Sequence, residues 1–147
     1  MFFSLSQYAS VSVLGQLWYN AEQEDGVEIH EQHQDGILIV KVVGQVDSMT
    51  GLELGNRLDS AINQGHKLLA IDLSAVPYIS SIGLRVLTVA HRALRAPERR
   101  GAMCLVGLSR TVACAFSISG FDQLFSIYDT MPEALAALSS SDEMDSS

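Results

Sequence analysis

Basic residues are scarce in this sequence, where nine lysines and arginines stand against 17 aspartates and glutamates. The formal net charge is −8 at pH 7, so there is no basic surplus to neutralise phosphates, and nucleic acid is not expected as a partner. This balance fits a soluble, cytosolic protein. Several of the bases nevertheless cluster between residues 85 and 100, and they indicate either a solvated surface or a patch that faces a partner: Arg85, Arg92, Arg95, Arg99 and Arg100.

Cysteine and histidine are also few, with two cysteines and four histidines in the chain. Cys104 lies in a predicted core strand and Cys114 in a predicted helix, and neither belongs to a CxxC pair. We therefore expect two buried, reduced thiols. His30 and His33 stand three apart on a predicted strand and so point to opposite faces, while the other histidines are isolated. The sequence predicts no metal site.

Long apolar runs are missing as well. No stretch approaches the roughly 20 apolar residues that a membrane-spanning helix needs. The first eight residues contain no lysine or arginine, whereas a signal peptide starts with a positively charged region. We therefore expect a cytoplasmic protein without stable membrane insertion.

What is present is a chain rich enough in apolar residues for one globular domain: 48% of its 147 residues are hydrophobic and the mean hydropathy is +0.21. Residues 1–26 differ from the rest and form an N-terminal extension. Its apolar residues recur at loosely helical spacing, from Phe2 to Trp18, and it ends in the acidic stretch Glu22–Gly26. The extension is predicted to be a helix packed on the same domain or on a second copy, which would make a homodimer; a loose tail is the alternative.

Residues 27–138 show strand and helix patterns in the order ββαβαβαβα. The Asp35-Gly36 pair between two alternating runs predicts a hairpin, and the later strands alternate with helices. This order predicts an α/β fold with a mixed sheet of about five strands and about four helices packed mainly on one face. Residues 139–147 are polar and acidic and are predicted to form a flexible tail.

One stretch carries two adjacent hydroxyls at the point where a helix is predicted to begin. Ser80 and Ser81 follow the buried strand Leu68–Leu73 and precede an apolar-periodic run that starts at Leu84. A serine at a helix start commonly caps the free N–H groups there. The alternative is a phosphorylation site, since the positive end of the helix dipole tolerates an added phosphate.

Four stretches together resemble the STAS domain of sulfate transporters and anti-sigma factor antagonists, and most of all the stand-alone bacterial antagonists. The resemblance covers about residues 27–138 and rests on Gly44–Asp47, Asp72–Ser74 with Val76 and Tyr78, Ser80–Leu84, and Phe116–Phe121 with Phe125. In that family the third stretch is typically Asp-Ser-Ser-Gly-Leu, and its first serine accepts the phosphate. By position the acceptor is Ser81. Two departures stand out: Ser80 replaces the aspartate, which leaves Ser80 as a second possible acceptor, and Ile82 replaces the second serine.

The resemblance implies an anti-sigma factor antagonist that works by partner switching. Its unphosphorylated form would bind an anti-sigma factor that is also a serine kinase of the histidine-kinase-like ATPase type, and so free a sigma factor. Phosphorylation of Ser81 would abolish binding, and a serine phosphatase would restore it. The chain would need no cofactor, because the partner kinase uses the ATP. The partner surface implied by the resemblance comprises Asp47, Ser48, Thr50, Ser80, Ser81, Ile82, Gly83 and Arg85.

Three residues of this surface can be interpreted individually from their chemistry: Asp47, Gly83 and Ile82. Asp47 either joins the interface or caps the helix that follows it, or does both. Gly83 lacks a side chain and is interpreted as the place where a partner's backbone or a nucleotide phosphate approaches closely. Ile82 either contacts the partner or packs inward.

Three other functions stay open at this stage. One is a STAS module that is not phosphorylated and acts as a scaffold or ligand sensor. Another is a subunit of a larger complex, such as one for lipid transport, to which the apolar N-terminal extension would be suited. The third is an enzyme, which the sequence disfavours because Asp47 and Ser81 alone supply no nucleophile, base and orienting group.

Overall fold

The computed structural model describes residues 27–146, with side chains up to residue 140. The elements follow the predicted order, with one short 3-10 helix, Phe121–Gln123, before the last strand. The strands are β1 Glu28–Gln34, β2 Ile37–Val43, β3 Leu68–Ala75, β4 Ala102–Val106 and β5 Ser126–Tyr128, and the helices are α1 Ser48–Asn63, α2 Ser81–Arg95, α3 Arg110–Ser119 and α4 Met131–Ser146. The predicted N-terminal extension lies outside the described residues.

The first two strands form the hairpin that the Asp35-Gly36 pair predicted. Gln34 pairs with Ile37 across a two-residue turn, in which Asp35 and Gly36 both have positive φ, at 53° and 81°. Aspartate and glycine tolerate that conformation better than most residues, and such turns match the twist of an antiparallel pair.

The five strands lie in the order β1-β2-β3-β4-β5, and only the β1–β2 pair is antiparallel. The sheet is therefore mixed, as predicted. Because β2, β3 and β4 are parallel, their carboxyl ends share one edge of the sheet, and the helices that follow them all begin at this edge. The segments that precede α1 and α2 thus become neighbours.

The sheet separates two apolar clusters. The larger cluster lies under α1, α2 and α3 and includes Leu54, Leu87 and Phe116 from these three helices. The smaller one lies on the opposite face, where Ala134 and Leu138 of α4 pack on the sheet. Three helices on one face and one on the other confirm the prediction that the helices pack mainly on one face.

Two features differ from the sequence interpretation. Cys104 is buried, but Cys114 is exposed. Helix α3 buries Val112 and Phe116, which are four residues apart and share a face, and Cys114 lies halfway between them on the other side. In addition, α4 continues beyond Leu138 to Ser146, since no glycine or proline interrupts its later part; the flexibility of residues 139–147 stays a prediction.

Within residues 27–146, no helix combines the length and the apolar character needed to cross a membrane. The same part of the chain contains no group of three or more histidine, cysteine or acidic side chains placed to hold a metal ion.

Candidate functional site

Hydrogen bonds between two loops place the first turns of α1 and α2 side by side. The Val46 N–H donates to the Tyr78 carbonyl at 2.9 Å, and the Ser80 N–H donates to the Val46 carbonyl at 2.7 Å. Val46 and Ile79 form a parallel bridge between the loops. The structure thereby brings together Asp47 and the Ser80-Ser81 pair, which lie more than 30 residues apart in sequence.

Asp47 caps α1. Its Oδ1 accepts hydrogen bonds from the N–H groups of Met49 at 3.0 Å and Thr50 at 2.9 Å, and the Asp47 N–H donates to Thr50 Oγ1 at 2.8 Å. These reciprocal bonds form a capping box. The hydrogen bonds from Thr50, followed by the one from Met49, hold the pKa of Asp47 below its usual value of 3.8. Asp47 therefore carries a negative charge at neutral pH.

Thr50 is only 8% exposed, and its hydroxyl also donates to the Gln45 carbonyl at 2.8 Å. Its polar atoms are thus used within the protein. The structure gives Thr50 the role of holding the loop before α1, which corrects the sequence interpretation of Thr50 as a partner contact.

The two adjacent serines have different environments. Ser80 is half-buried and is the N-cap of α2, where its hydroxyl accepts a hydrogen bond from the Gly83 N–H at 3.3 Å. Ser81 is the first residue of the helix and is exposed. No hydrogen bond to its hydroxyl occurs within the described part of the chain. One hydroxyl therefore caps the helix, while the neighbouring one faces solvent and is open to modification.

Gly83 faces the inside of the protein. A Cβ atom at this position would lie 2.6 Å from Ile79 Cγ1 and 2.7 Å from Val46 Cγ1, closer than such contacts occur. The glycine is buried and makes room for the two loops that join α1 and α2. This finding corrects the expectation that Gly83 leaves space for a partner or a nucleotide phosphate.

The exposed surface near Ser81 combines apolar side chains with arginines, since the cleft that Ser81 lines also includes Ile82, Arg85 and Arg92. Met49 is 81% exposed, Tyr78 47% and Ile82 36%, and Ser48 and Arg85 are also exposed. The sequence analysis did not include Met49 and Tyr78 among the candidate site residues. Met49 carried a usable signal, because it falls outside the apolar periodicity of α1, whereas nothing in the sequence separates Tyr78 from a core residue.

Burial also lowers the pKa of His91, which lies on α2 and packs against Phe125 with the ring centroids 5.1 Å apart and the rings tilted by 49°. Burial, and then the positive charge of Arg95, lowers the pKa of His91 below 6.5. His91 thus stays neutral at neutral pH. It lines a cavity bounded by Cys104 and Tyr128, away from Ser81.

The arrangement defines a class of protein: a small α/β domain whose candidate site is an exposed surface at two paired helix N-termini. The chain belongs to the STAS domain family, whose model matches residues 28–134.

Its relatives carry related names. It is 34% identical over 103 residues to the putative anti-sigma factor antagonist BtrV of Bordetella bronchiseptica, an alignment that covers 70% of this chain and 87% of the relative. It is 33% identical over 101 residues to an anti-sigma-B factor antagonist of Listeria monocytogenes, covering 69% of this chain and 86% of the relative. The crystal structure of an anti-sigma factor antagonist from Mycobacterium paratuberculosis superposes with a TM-score of 0.71 at 27% identity, over 78% of this chain and 95% of that one.

Proposed function

We propose that this protein is an anti-sigma factor antagonist that works by partner switching, with Ser81 as the phosphate acceptor. The names of its relatives support the antagonist role. An antagonist acts by binding, which agrees with the expectation that the chain is not an enzyme. The observation that carries the choice of residue is the contrast between the two serines: the Ser80 hydroxyl is occupied in capping α2, and the Ser81 hydroxyl is exposed.

In the unphosphorylated state, the surface formed by Met49, Tyr78, Ile82 and Arg85 binds an anti-sigma factor and thereby frees a sigma factor. The apolar side chains supply the area that is removed from water. Asp47 and Ser80 contribute by holding the two helix N-termini in register, since each caps its own helix.

In the switching step, the anti-sigma factor acts as a serine kinase of the histidine-kinase-like ATPase type. The γ-phosphoryl group of its ATP is transferred to Ser81 Oγ, the hydroxyl proton is lost, and ADP is the leaving product. The chain itself holds no cofactor. A serine phosphatase hydrolyses the phosphate and restores the binding form.

The phosphate adds roughly −1.5 to −2 charges in the middle of a surface that presents the apolar side chains of Met49, Tyr78 and Ile82 beside Arg85. Burying that charge at an interface without matching groups is costly, and a penalty of about 3 kcal/mol already weakens affinity more than a hundredfold. The helix N-terminus accommodates the negative charge, so the domain remains folded in both states.

The first test is mass spectrometry of the protein purified from its native host, compared with three alanine variants. Ser81→Ala is expected to lose the phosphate, and Ser80→Ala to retain it. Ser48→Ala is a matched control, because Ser48 is also the exposed first residue of a helix and follows the N-cap Asp47. Ser81→Asp is expected to bind the host's anti-sigma factor more than a hundredfold more weakly than the parent.

A phosphate that persists in Ser81→Ala would show that another residue is the acceptor. Absence of phosphate under every growth condition would favour the alternative function, a STAS module that binds its partner constitutively. Tight binding of the kinase by Ser81→Asp would contradict the switch itself.

A further inference from the structure

An apolar groove runs between α1 and α2 on the side of these helices that faces away from the sheet. It has a volume of 230 Å³, and its walls include Leu52 from α1 and Ile82 and Val89 from α2. Small residues such as Gly55 and Ala93 also line it and leave it open, and its charged side chains are Asp59 and Arg85.

The apolar side chains that form the walls of this groove are exposed to solvent in the described domain. Leu52 and Val89 are each 61% exposed, and Ile82 is 36% exposed. Both helices already bury another face against the sheet, so these residues are not needed for the core. A contiguous exposed apolar surface of this kind marks a place where another segment binds.

We propose that the groove binds the chain's own N-terminal segment, residues 1–26. The first argument is the position at which that segment joins the domain. Val27 packs in the cluster on the helix side of the sheet, and Glu28 pairs with Val43, the last residue of β2. The segment therefore leaves the domain on the face that carries α1 and α2 and at the edge where α1 begins.

The second argument is length. Helix α2, which forms one wall, has 15 residues and is about 22 Å long at 1.5 Å per residue. A chain spans up to roughly 3.3–3.6 Å per residue when extended, so 26 residues are more than enough to reach the groove and follow it. A short tether also raises the effective concentration of the segment to about the millimolar range, so that even a modest intrinsic affinity suffices.

The third argument is chemical complementarity. Residues 1–26 contain Phe2, Leu14, Leu17 and Trp18 among their apolar side chains and have no lysine, arginine or histidine. The only charges are three acids near the domain: Glu22, Glu24 and Asp25. On the α2 side of the groove the exposed charges are arginines, of which Arg85 lines the groove itself and Arg92 the adjoining cleft.

Binding of the N-terminal segment in the groove would regulate the binding of the anti-sigma factor, and this consequence rests on the proposed function. Ile82 and Arg85 belong both to the groove and to the surface assigned to the anti-sigma factor. A bound N-terminal segment therefore competes with the partner and reduces its apparent affinity. The docking itself does not depend on the proposed function, and its test needs no partner. A failure of the docking proposal is therefore distinguishable from a failure of the partner-switching proposal.

Trp18 is the only tryptophan of the chain, so intrinsic fluorescence of the full-length protein reports directly on the segment. We expect blue-shifted emission that is shielded from acrylamide in the parent. Val89→Glu and Leu52→Glu, on opposite walls of the groove, are expected to shift the emission to longer wavelength and to increase quenching. Ile118→Glu is the matched control, because Ile118 is an apolar residue that is 87% exposed on α3, and it is expected to leave the emission unchanged.

All three substitutions are at exposed positions, and circular dichroism with a thermal melt checks that each variant is folded. Solvent-like emission from Trp18 in the parent would overturn the proposal. Shielded emission that both groove variants leave unchanged would overturn it too, because the segment would then bind elsewhere. Shielding that disappears on dilution, together with a dimer by light scattering, would assign the groove to a second copy instead.

Discussion

Ser80 and Ser81 show that the local environment of a hydroxyl group determines its role. The two side chains are identical and adjacent, yet one is oriented to cap α2 and the other faces solvent. The family motif alone indicated Ser81 by position. The structure adds a physical reason for the same choice, since the Ser80 hydroxyl is half-buried and engaged with the Gly83 N–H, whereas the Ser81 hydroxyl is exposed.

Asp47 provides a prediction at the residue scale. The hydrogen bonds from Thr50 and Met49 lower its pKa in the folded protein below 3.8. A carboxyl group with a lowered folded-state pKa stabilises the protein above its unfolded-state pKa, and this contribution is lost as the pH falls through the folded-state pKa. Asp47→Asn keeps an acceptor oxygen but loses the charge, so it is expected to lower the urea midpoint at neutral pH. The difference from the parent is expected to shrink as the pH falls below 3.8.

The control for this experiment is Asp129→Asn, which removes one negative charge from an exposed residue. Within the described residues, the Asp129 side chain makes no hydrogen bond or ion pair. The Asp129→Asn midpoint is expected to match that of the parent at neutral pH, because the exposed side chain has no partner to lose among the described residues. A constant gap between Asp47→Asn and the parent down to the lowest pH would contradict an origin in the charge of Asp47.

At the scale of elements, the central feature is the pairing of the N-termini of α1 and α2. Two backbone hydrogen bonds join the preceding loops, and Gly83 allows Val46 and Ile79 to pack between the loops and the first turn of α2. The relative placement of the candidate site residues depends on this contact, because α1 carries Met49 and α2 carries Ser81.

Gly83→Ala tests this contact. The added methyl group would overlap with Ile79 and Val46, and overpacking of this kind is expected to cost about 1–3 kcal/mol of unfolding free energy, measured by urea denaturation. Gly55→Ala in α1 is the comparison, where the new Cβ would lie 3.2 and 3.3 Å from the two Val86 methyl groups, a smaller overlap than at Gly83. Its cost is expected to be clearly smaller. Equal losses in the two variants would show that Gly83 is not specially constrained.

Much of the element order was predictable, because apolar periodicity and turn residues are local signals. The Asp35-Gly36 hairpin, the buried strand β3 and the helix after Ser80 all follow from residues close together in sequence. Gly83 was misinterpreted because its surroundings include Val46, which is far away in the chain, as well as the nearby Ile79. Cys114 was misassigned because α3 buries only a narrow stripe, and the width of that stripe depends on the neighbours of the helix.

At the scale of the whole molecule, the sheet divides the interior into two clusters that differ in size. Within the described residues, the smaller one is covered by a single helix, α4, which packs on strands β3, β4 and β5 and contributes Ala134 and Leu138. Cys104 lies in this cluster and on β4, between β3 and β5. Access to its thiol therefore requires opening of the sheet or departure of α4, both of which are large-scale events.

The protection of the Cys104 thiol can be measured by comparing the reactivity of the two cysteines. Burial raises the pKa of the Cys104 thiol to about 12, so both its accessibility and its thiolate fraction are low in the folded protein. With a thiol reagent such as Ellman's reagent, we expect one fast reaction, at the exposed Cys114, and a slow one at Cys104 whose rate rises with urea as unfolding does. Cys114→Ser is expected to abolish the fast phase and leave the slow one. Two fast thiols in the folded protein would show that α4 does not protect the second face of the sheet.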